Sequence, residues 1–144
     1  MDALASFIKR HEGYSDVPYR CPAGYITIGW GHVVRQGEAY EGPITHVQAE
    51  IMLAGDIALA RGAVSRLIEV SLRSHEADAL ASFTFNLGSG ALQRSTLRRK
   101  LNRGEHDAVP AELMRWVFAG GRKLTGLVRR RAEEAALFEG RYKG

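Results

Sequence analysis

Between Tyr14 and Val34 the chain carries Pro18, Pro22, Gly24, Gly29 and Gly31 among short runs of Tyr, Ile, Thr and Trp, and this texture constrains the fold more than any other feature. Proline breaks a helix interior, and glycine at this density supplies tight turns, so the segment predicts β-hairpins. It is the only stretch that reads convincingly as β. Elsewhere the spacing is helical. Asp2 stands as an N-cap before Leu4, Phe7, Ile8 and His11, which predicts a helix over 3–11 ending near Glu12-Gly13. Thr45 with Gln48 reads as a capping box after the Gly42-Pro43 break. From there Val47, Ile51, Met52, Ile57, Leu59 and Val64 carry a long helix toward residue 70. Further helices are predicted over about 75–87 before Gly88, 95–103 before Gly104, 107–118 with Pro110 in its first turn, and 126–139 between Thr125 and Gly140. The expected class is α+β, with a small hairpin lobe and a larger helical lobe joined by a long helix.

A chain of 144 residues with 45% hydrophobic and 25% charged residues excludes a disordered polymer and fits one domain or two small lobes. No apolar run approaches the roughly 18 residues that cross a bilayer, and the first 20 residues show no secretory signal, so a chain made in the cytosol is expected. The lone cysteine, Cys21, excludes a disulfide framework. His11, His32, His46, His75 and His106 are scattered without metal-ligand spacing, so neither a metal nor a cofactor is expected. Residues 1–72 hold 6 Lys/Arg against 8 Asp/Glu, and residues 73–144 hold 14 against 8. A basic half of this kind attracts polyanions, whether nucleic acid, an acidic membrane face or an anionic wall polymer.

Glu12 sits where the first helix gives way to the hairpins, a junction at which a carboxyl faces a groove while packed structure holds its backbone. Eight residues separate it from Cys21, five more separate Cys21 from Thr27, and Ile28-Gly29-Trp30-Gly31-His32 follow directly. This constellation resembles the phage-type lysozymes, the T4-like glycoside hydrolase family 24 endolysins, and more closely their lambdoid and P22-like branch. In that family a Glu, an Asp or Cys, and a Thr stand at this spacing. The resemblance spans nearly the whole chain. Ile44-Thr45 through Gln48-Ala49 to Leu53 and Asp56 is similar to the family's bridging helix. Phe83 to Gly88 with Ser95-Thr96-Leu97 and Leu101-Asn102 is similar to its larger lobe, and Gly126 to Arg131 with Glu134 to its C-terminal helix.

The resemblance implies a single catalytic domain over 1–144 in the two-lobed lysozyme-like fold. Its β-containing lobe covers about 13–60 and its helical lobe about 70–144, with helix 3–11 packed on the latter. It implies an endolysin, a muramidase hydrolysing the β-1,4 bond between N-acetylmuramic acid and N-acetylglucosamine in peptidoglycan. Glu12, Cys21 and Thr27 are then the catalytic residues, Gly31, Phe85 and Asn86 contact substrate, and His32 and Arg130 support the site structurally. The secreted branch of the family begins with a signal-arrest-release segment. Without one here, the expectation is residence in the host cytoplasm until a separate holin releases a monomeric enzyme to the wall, with no nucleic-acid partner. Contact of the basic half with an outer membrane is a further expectation from charge.

Glycoside cleavage needs a proton for the leaving oxygen and an electron-rich group across an oxocarbenium-like transition state. Glu12 suits the first task if partial burial lets it hold a proton. Cys21 replaces the usual carboxylate, and a free thiol is mostly neutral at pH 7 unless a cation such as Arg20 or a helix end favours the thiolate. Two routes stay open: attack by sulfur with retention, or a water placed by Cys21 and Thr27 with inversion. Asp16 is the alternative partner, and plain strand packing the alternative for Thr27. His32 reads as a hydrogen-bonded link rather than a proton donor, and Arg129-Arg130-Arg131 by default as a solvated charge run. The rival functions are a lytic transglycosylase that leaves anhydro products, and a non-catalytic polyanion binder.

Overall fold

The computed structural model describes residues 2–40 and 42–144. It is α+β, as expected, and divides into two compact units, 1–56 and 57–144. The division falls inside the longest helix.

In the first unit, α1 (Ala3–His11) begins where the Asp2 carboxylate accepts from the Leu4 N–H at 2.9 Å, and its apolar stripe, Leu4, Phe7 and Ile8, is buried. Lys9, Arg10 and His11 occupy its last turn, where cations complement the exposed carbonyls. Then come β1 (Ser15–Arg20), β2 (Ile26–Gly29) and β3 (His32–Val33), an antiparallel meander in the order β1-β2-β3. Tyr19 faces Thr27 and Ile28 faces His32 across the ladders, with a register irregularity between Ser15 and Tyr19. One face of β2 buries Ile28 in a small core with Ile44 and Ala49, against which Tyr14, Trp30, Val34, Tyr40 and Met52 pack.

The long helix, α2 (His46–Leu67), starts at the capping box read from sequence. The Thr45 N–H donates to Gln48 Oε1 at 2.7 Å, and the Gln48 N–H donates to Thr45 Oγ1 at 3.1 Å. Its buried stripe is Ala49, Leu53, Ile57, Ala60, Val64 and Leu67, a helical period that leaves Val47, Ile51 and Leu59 exposed on the other side. The sequence reading merged the two faces because Val, Ile and Leu outweigh Ala in hydropathy. The helix stops at Leu67, short of residue 70. Arg98 Nε and Asn102 Nδ2 each donate to the Leu67 carbonyl at 3.0 Å, while Asn102 Oδ1 accepts from the Glu69 N–H at 2.8 Å. One amide side chain therefore satisfies both sides of the helix end.

The second unit continues with α3 (Ser74–Leu87), α4 (Ser89–Arg94), α5 (Thr96–Asn102), a 3-10 turn over His106–Ala108, α6 (Val109–Leu113), β4 (Phe118–Ala119), β5 (Arg122–Lys123) and α7 (Thr125–Phe138). Two of its elements correct the sequence reading. Helix α4 follows α3 directly, because Gly88 at φ +92° ends one helix and starts the next. The predicted helix over 107–118 is cut short at Leu113, and a second β ladder follows. Gly120 and Gly121, at φ +58° and +77°, form its two-residue turn, a backbone that side-chain-bearing residues resist. The carbonyls freed between α6 and β5 are used: Trp116 O accepts from Arg131 Nε at 2.9 Å, and Val117 O from the Leu124 N–H at 3.0 Å. Helix α7 packs against α3 and α6. Leu80, Phe83, Leu92, Leu97, Leu101, Val109, Leu113 and Phe138 are buried in this unit, each stabilising it by about 1.5–3 kcal/mol.

Buried with them is a charged group that the reading as a solvated run did not anticipate. Arg129 is exposed, but Arg130, Arg131 and Glu134 are 3%, 0% and 0% accessible. Glu134 accepts from Arg130 Nε at 3.2 Å, from the Ser82 hydroxyl at 2.6 Å and from Arg131 Nη1. Arg130 Nη2 also reaches the Ser82 carbonyl, and Arg131 Nη2 donates to Asn86 Oδ1. Buried guanidinium groups persist only where carboxylate and neutral acceptors surround them.

Candidate active site

Glu12 is the C-cap of α1. Its N–H still closes the helix on the Ile8 carbonyl at 2.9 Å, while its own backbone turns extended, which aims its half-buried side chain away from the helix and toward the hairpins. The carboxyl meets the connection between β2 and β3. There Gly31 has φ +76°, and a Cβ built on it would lie 2.5 Å from Glu12 Oε1 and 2.8 Å from its Cδ. The space that a side chain at 31 would fill is the space the acid occupies. Gly31, expected from the resemblance to contact substrate, also packs against Glu12.

An alanine at 31 tests the fit. The colliding atoms belong to the mobile end of Glu12, so the clash is relieved by displacing the carboxyl, while the positive φ costs about 1–2 kcal/mol. The Gly31→Ala variant is expected to lose that much stability in thermal melts and a larger share of its wall-clearing rate, measured well below its melting temperature.

Cys21 begins a tight turn just beyond β1. Gly24 N–H donates to the Cys21 carbonyl at 2.8 Å across Pro22-Ala23, and the Cys21 N–H donates to the Tyr25 carbonyl at 2.9 Å. Proline at the second position and glycine at the fourth are the residues such a turn favours. The fold curls the Ala23, Gly24 and Tyr25 N–H groups around the sulfur. Burial pushes the thiol up, but the hydrogen bond with the Thr27 hydroxyl and those from the Tyr25, Ala23 and Gly24 amides outweigh it and hold Cys21 below the ordinary thiol value. Arg20, the cation suggested by the sequence, instead donates to the Gly24 carbonyl at 2.7 Å, so it braces the turn.

Thr27 is 3% exposed, and its hydroxyl also donates to the Tyr25 carbonyl at 3.1 Å. The single hydroxyl proton of Thr27 therefore has two acceptors to serve, the Tyr25 carbonyl and an ionised Cys21 sulfur. Tyr19, absent from the sequence-based set, is the common neighbour. Burial, and the charges of Glu12 and Cys21 beside it, disfavour its phenolate. Only strand register shows this, since Tyr19 lies directly across from Thr27. Asp16 is exposed on β1 and makes no hydrogen bond to Cys21 or Thr27 among the described residues.

His32 is buried on β3. Its Nδ1 lies 2.7 Å from Asp56 Oδ2 and its Nε2 3.1 Å from Glu38 Oε2, so it ties the sheet to α2 and to the loop after β3. Glu38 also accepts from the Arg35 N–H at 2.6 Å and the Tyr40 hydroxyl at 2.9 Å, and Arg35 Nη2 stands 4.0 Å from Asp56. Burial works against the imidazolium, but Asp56 and Glu38 prevail and raise His32 above its ordinary value. The Arg35 amide, against some desolvation and with help from His32 and Tyr40, brings Glu38 down to about 2. A raised histidine contributes stability that is complete below its unfolded value near 6.5 and is lost as pH climbs through its folded value. A lowered carboxylate contributes stability present above 4.5 and lost as pH falls toward 2. The melting temperature is therefore expected to plateau between about pH 4.5 and 6.5 and to decline on either side, with the alkaline decline reduced in Asp56→Asn, where Glu38 alone still favours the imidazolium.

Phe85, Asn86 and Arg130 belong to the second unit. Phe85 is half-buried on α3, the Asn86 side-chain oxygen accepts from Arg131 Nη2, and Arg130 is part of the buried group around Glu134. Glu38, Tyr40 and Tyr19 escaped the sequence reading because they lie in a loop or on a strand face with no spacing that marks them.

The family profile for phage lysozyme matches residues 9–134. The endolysin of Acyrthosiphon pisum secondary endosymbiont phage 1 is 41% identical over 138 residues, covering 92% of each chain. The muramidase domain of SpmX from Asticaccaulis excentricus superposes with a TM-score of 0.83 at 30% identity over 96% of this chain and 95% of that one. P22 lysozyme, solved as a point variant, does so with a TM-score of 0.79 at 32% identity over 96% and 97%. With the family profile covering most of the chain and these relatives aligned along nearly its whole length, the chain belongs to the phage lysozymes, on the side of the P22-like endolysins, and is a glycoside hydrolase.

Proposed function

We propose that this endolysin cleaves the β-1,4 bond between N-acetylmuramic acid and N-acetylglucosamine in peptidoglycan as a single catalytic domain over 1–144, with Glu12 as general acid. The observation that carries the proposal is the grouping in the first unit: the Glu12 carboxyl packs on Gly31, and Tyr19 feels both Glu12 and the Cys21–Thr27 pair. Glu12 gives its proton to the leaving oxygen, and Cys21 supplies the electron-rich partner. Thr27 is buried and turned toward the sulfur, which supports a role through Cys21 rather than as the sole holder of a water. Phe85 and Asn86 complete the reading as substrate contacts.

The test combines product mass with a variant. Solubilised walls should yield reducing fragments about 18 daltons, one water, heavier than the anhydro sugars of a transglycosylase. A Cys21→Ser variant should clear walls about 10–100-fold more slowly, since serine does not ionise near neutral pH. Full activity in that variant would move the role away from Cys21, and the anomer formed by wild type separates sulfur attack from water attack. Peptidoglycan is the substrate. The reading extends to release of a monomer from the host cytoplasm through a separate holin, and to outer-membrane contact by the basic half, where Arg94, Arg99, Arg103, Arg122, Lys123 and Arg129 are exposed. Dye uptake by intact cells exposed to wild type and to the inactive acid variant tests the membrane contact. Among the described residues no helix is long and apolar enough to cross a membrane.

A further inference from the structure

Strand geometry sets Tyr19 apart from the other tyrosines. It pairs directly with Thr27 across the β1–β2 ladder, so the two side chains leave the sheet on the same face. Cys21 follows two residues later, one step beyond the end of β1, and its sulfur shares a hydrogen bond with the Thr27 hydroxyl. The phenol is half-buried, and its hydroxyl has no hydrogen-bond partner among the described residues, whereas Tyr40, in the loop after β3, donates its hydroxyl to Glu38. Burial together with the neighbouring Glu12 and Cys21 keeps the phenol protonated at any working pH. A permanent donor therefore stands beside the acid and the thiol with no use inside the fold.

We propose that Tyr19 is a further substrate-positioning residue of this reaction, its hydroxyl donating a hydrogen bond to the saccharide at the scissile linkage between Glu12 and Cys21. The proposal rests on the reading of Glu12 and Cys21 given above and adds a third protein group to the reacting centre. A ring without the hydroxyl fills the same space but leaves the sugar less firmly held as the bond breaks. A contact that tightens in the transition state appears in kcat, whereas one felt equally by bound substrate appears in KM.

The experiment is Tyr19→Phe in the full chain, assayed on solubilised peptidoglycan oligosaccharides, with Glu12→Gln alongside. The expected result is a kcat lower by about tenfold with KM within about twofold, the size of one lost hydrogen bond. The melting temperature, and the pH profile of Cys21 alkylation by iodoacetamide, should match wild type, because neither packing nor the thiol depends on the missing oxygen. A wild-type kcat in Tyr19→Phe, with Glu12→Gln inactive, overturns this proposal alone. A fall in kcat that comes with a shifted alkylation profile or a lower melting temperature also overturns it, since the residue would then act through the sulfur or the fold. Activity retained by Glu12→Gln overturns the underlying reading and this proposal with it.

Discussion

Glu12→Gln is expected to slow the clearing of purified cell walls by about two to four orders of magnitude, the range that a positioned proton donor supplies. Glutamine matches glutamate in length and shape, so it can occupy the same place against Gly31, where a larger or branched side chain could not. It can accept and donate hydrogen bonds but cannot hand a proton to a leaving oxygen. Helix α1 should be unaffected, because its end is closed by the main chain of residue 12 and not by the side chain. Thermal melts of the variant should therefore coincide with wild type within about a degree while turnover is lost. Binding to insoluble walls should be retained. If binding and clearing vanish together, or if clearing persists, Glu12 is not the acid.

Glu134→Ala should have the largest effect on stability. The change removes a buried carboxylate that both guanidinium groups share, and it takes away the acceptor of the Ser82 hydroxyl proton as well. Taking one partner from a buried ion pair costs about 3–5 kcal/mol, because the charges left behind stay out of water. For a chain of this length that corresponds to a fall in melting temperature of about 10–15 °C. A fall of a degree or two would mean that the second unit reorganises to hydrate Arg130 and Arg131, and that the group contributes little. Glu134→Gln should lie between the two, since the amide oxygen can still accept one of the bonds.

What could be read from the chain and what could not divide along a physical line. Helix α1 and the capping box of α2 were legible because Asp2, Thr45 and Gln48 act on backbone groups two or three residues away. The spacing of Glu12, Cys21 and Thr27 was legible as a pattern, and the structure adds the reason for part of it: a turn over Cys21–Gly24 brings the sulfur back to the Thr27 hydroxyl. Gly31 was visible as a turn residue and, through the resemblance, as a substrate contact, but not as a partner of Glu12, since its need to be bare comes from a carboxyl 19 positions earlier. Tyr19 needed the strand register. The charge run at 129–131 was misread because burial of its two arginines depends on α3, whose neutral acceptors at Ser82 and Asn86 lie more than 40 residues away, while the neutralising Glu134 alone is equally compatible with an exposed helix face. The second ladder was missed for a different reason. Its two glycines were in view, but the helical pattern before them was extended past the point where Arg131 captures the Trp116 carbonyl.

The amide-lined turn around Cys21 carries a consequence for how this enzyme tolerates its surroundings. Main-chain dipoles touching an atom are not shielded by dissolved ions, whereas a lone surface cation loses its influence over about 10 Å at moderate ionic strength. The reactivity of the sulfur should accordingly persist in brine, and designers could recolour the exterior with acidic or basic substitutions, for instance to retarget the protein to another species, without retuning the thiol.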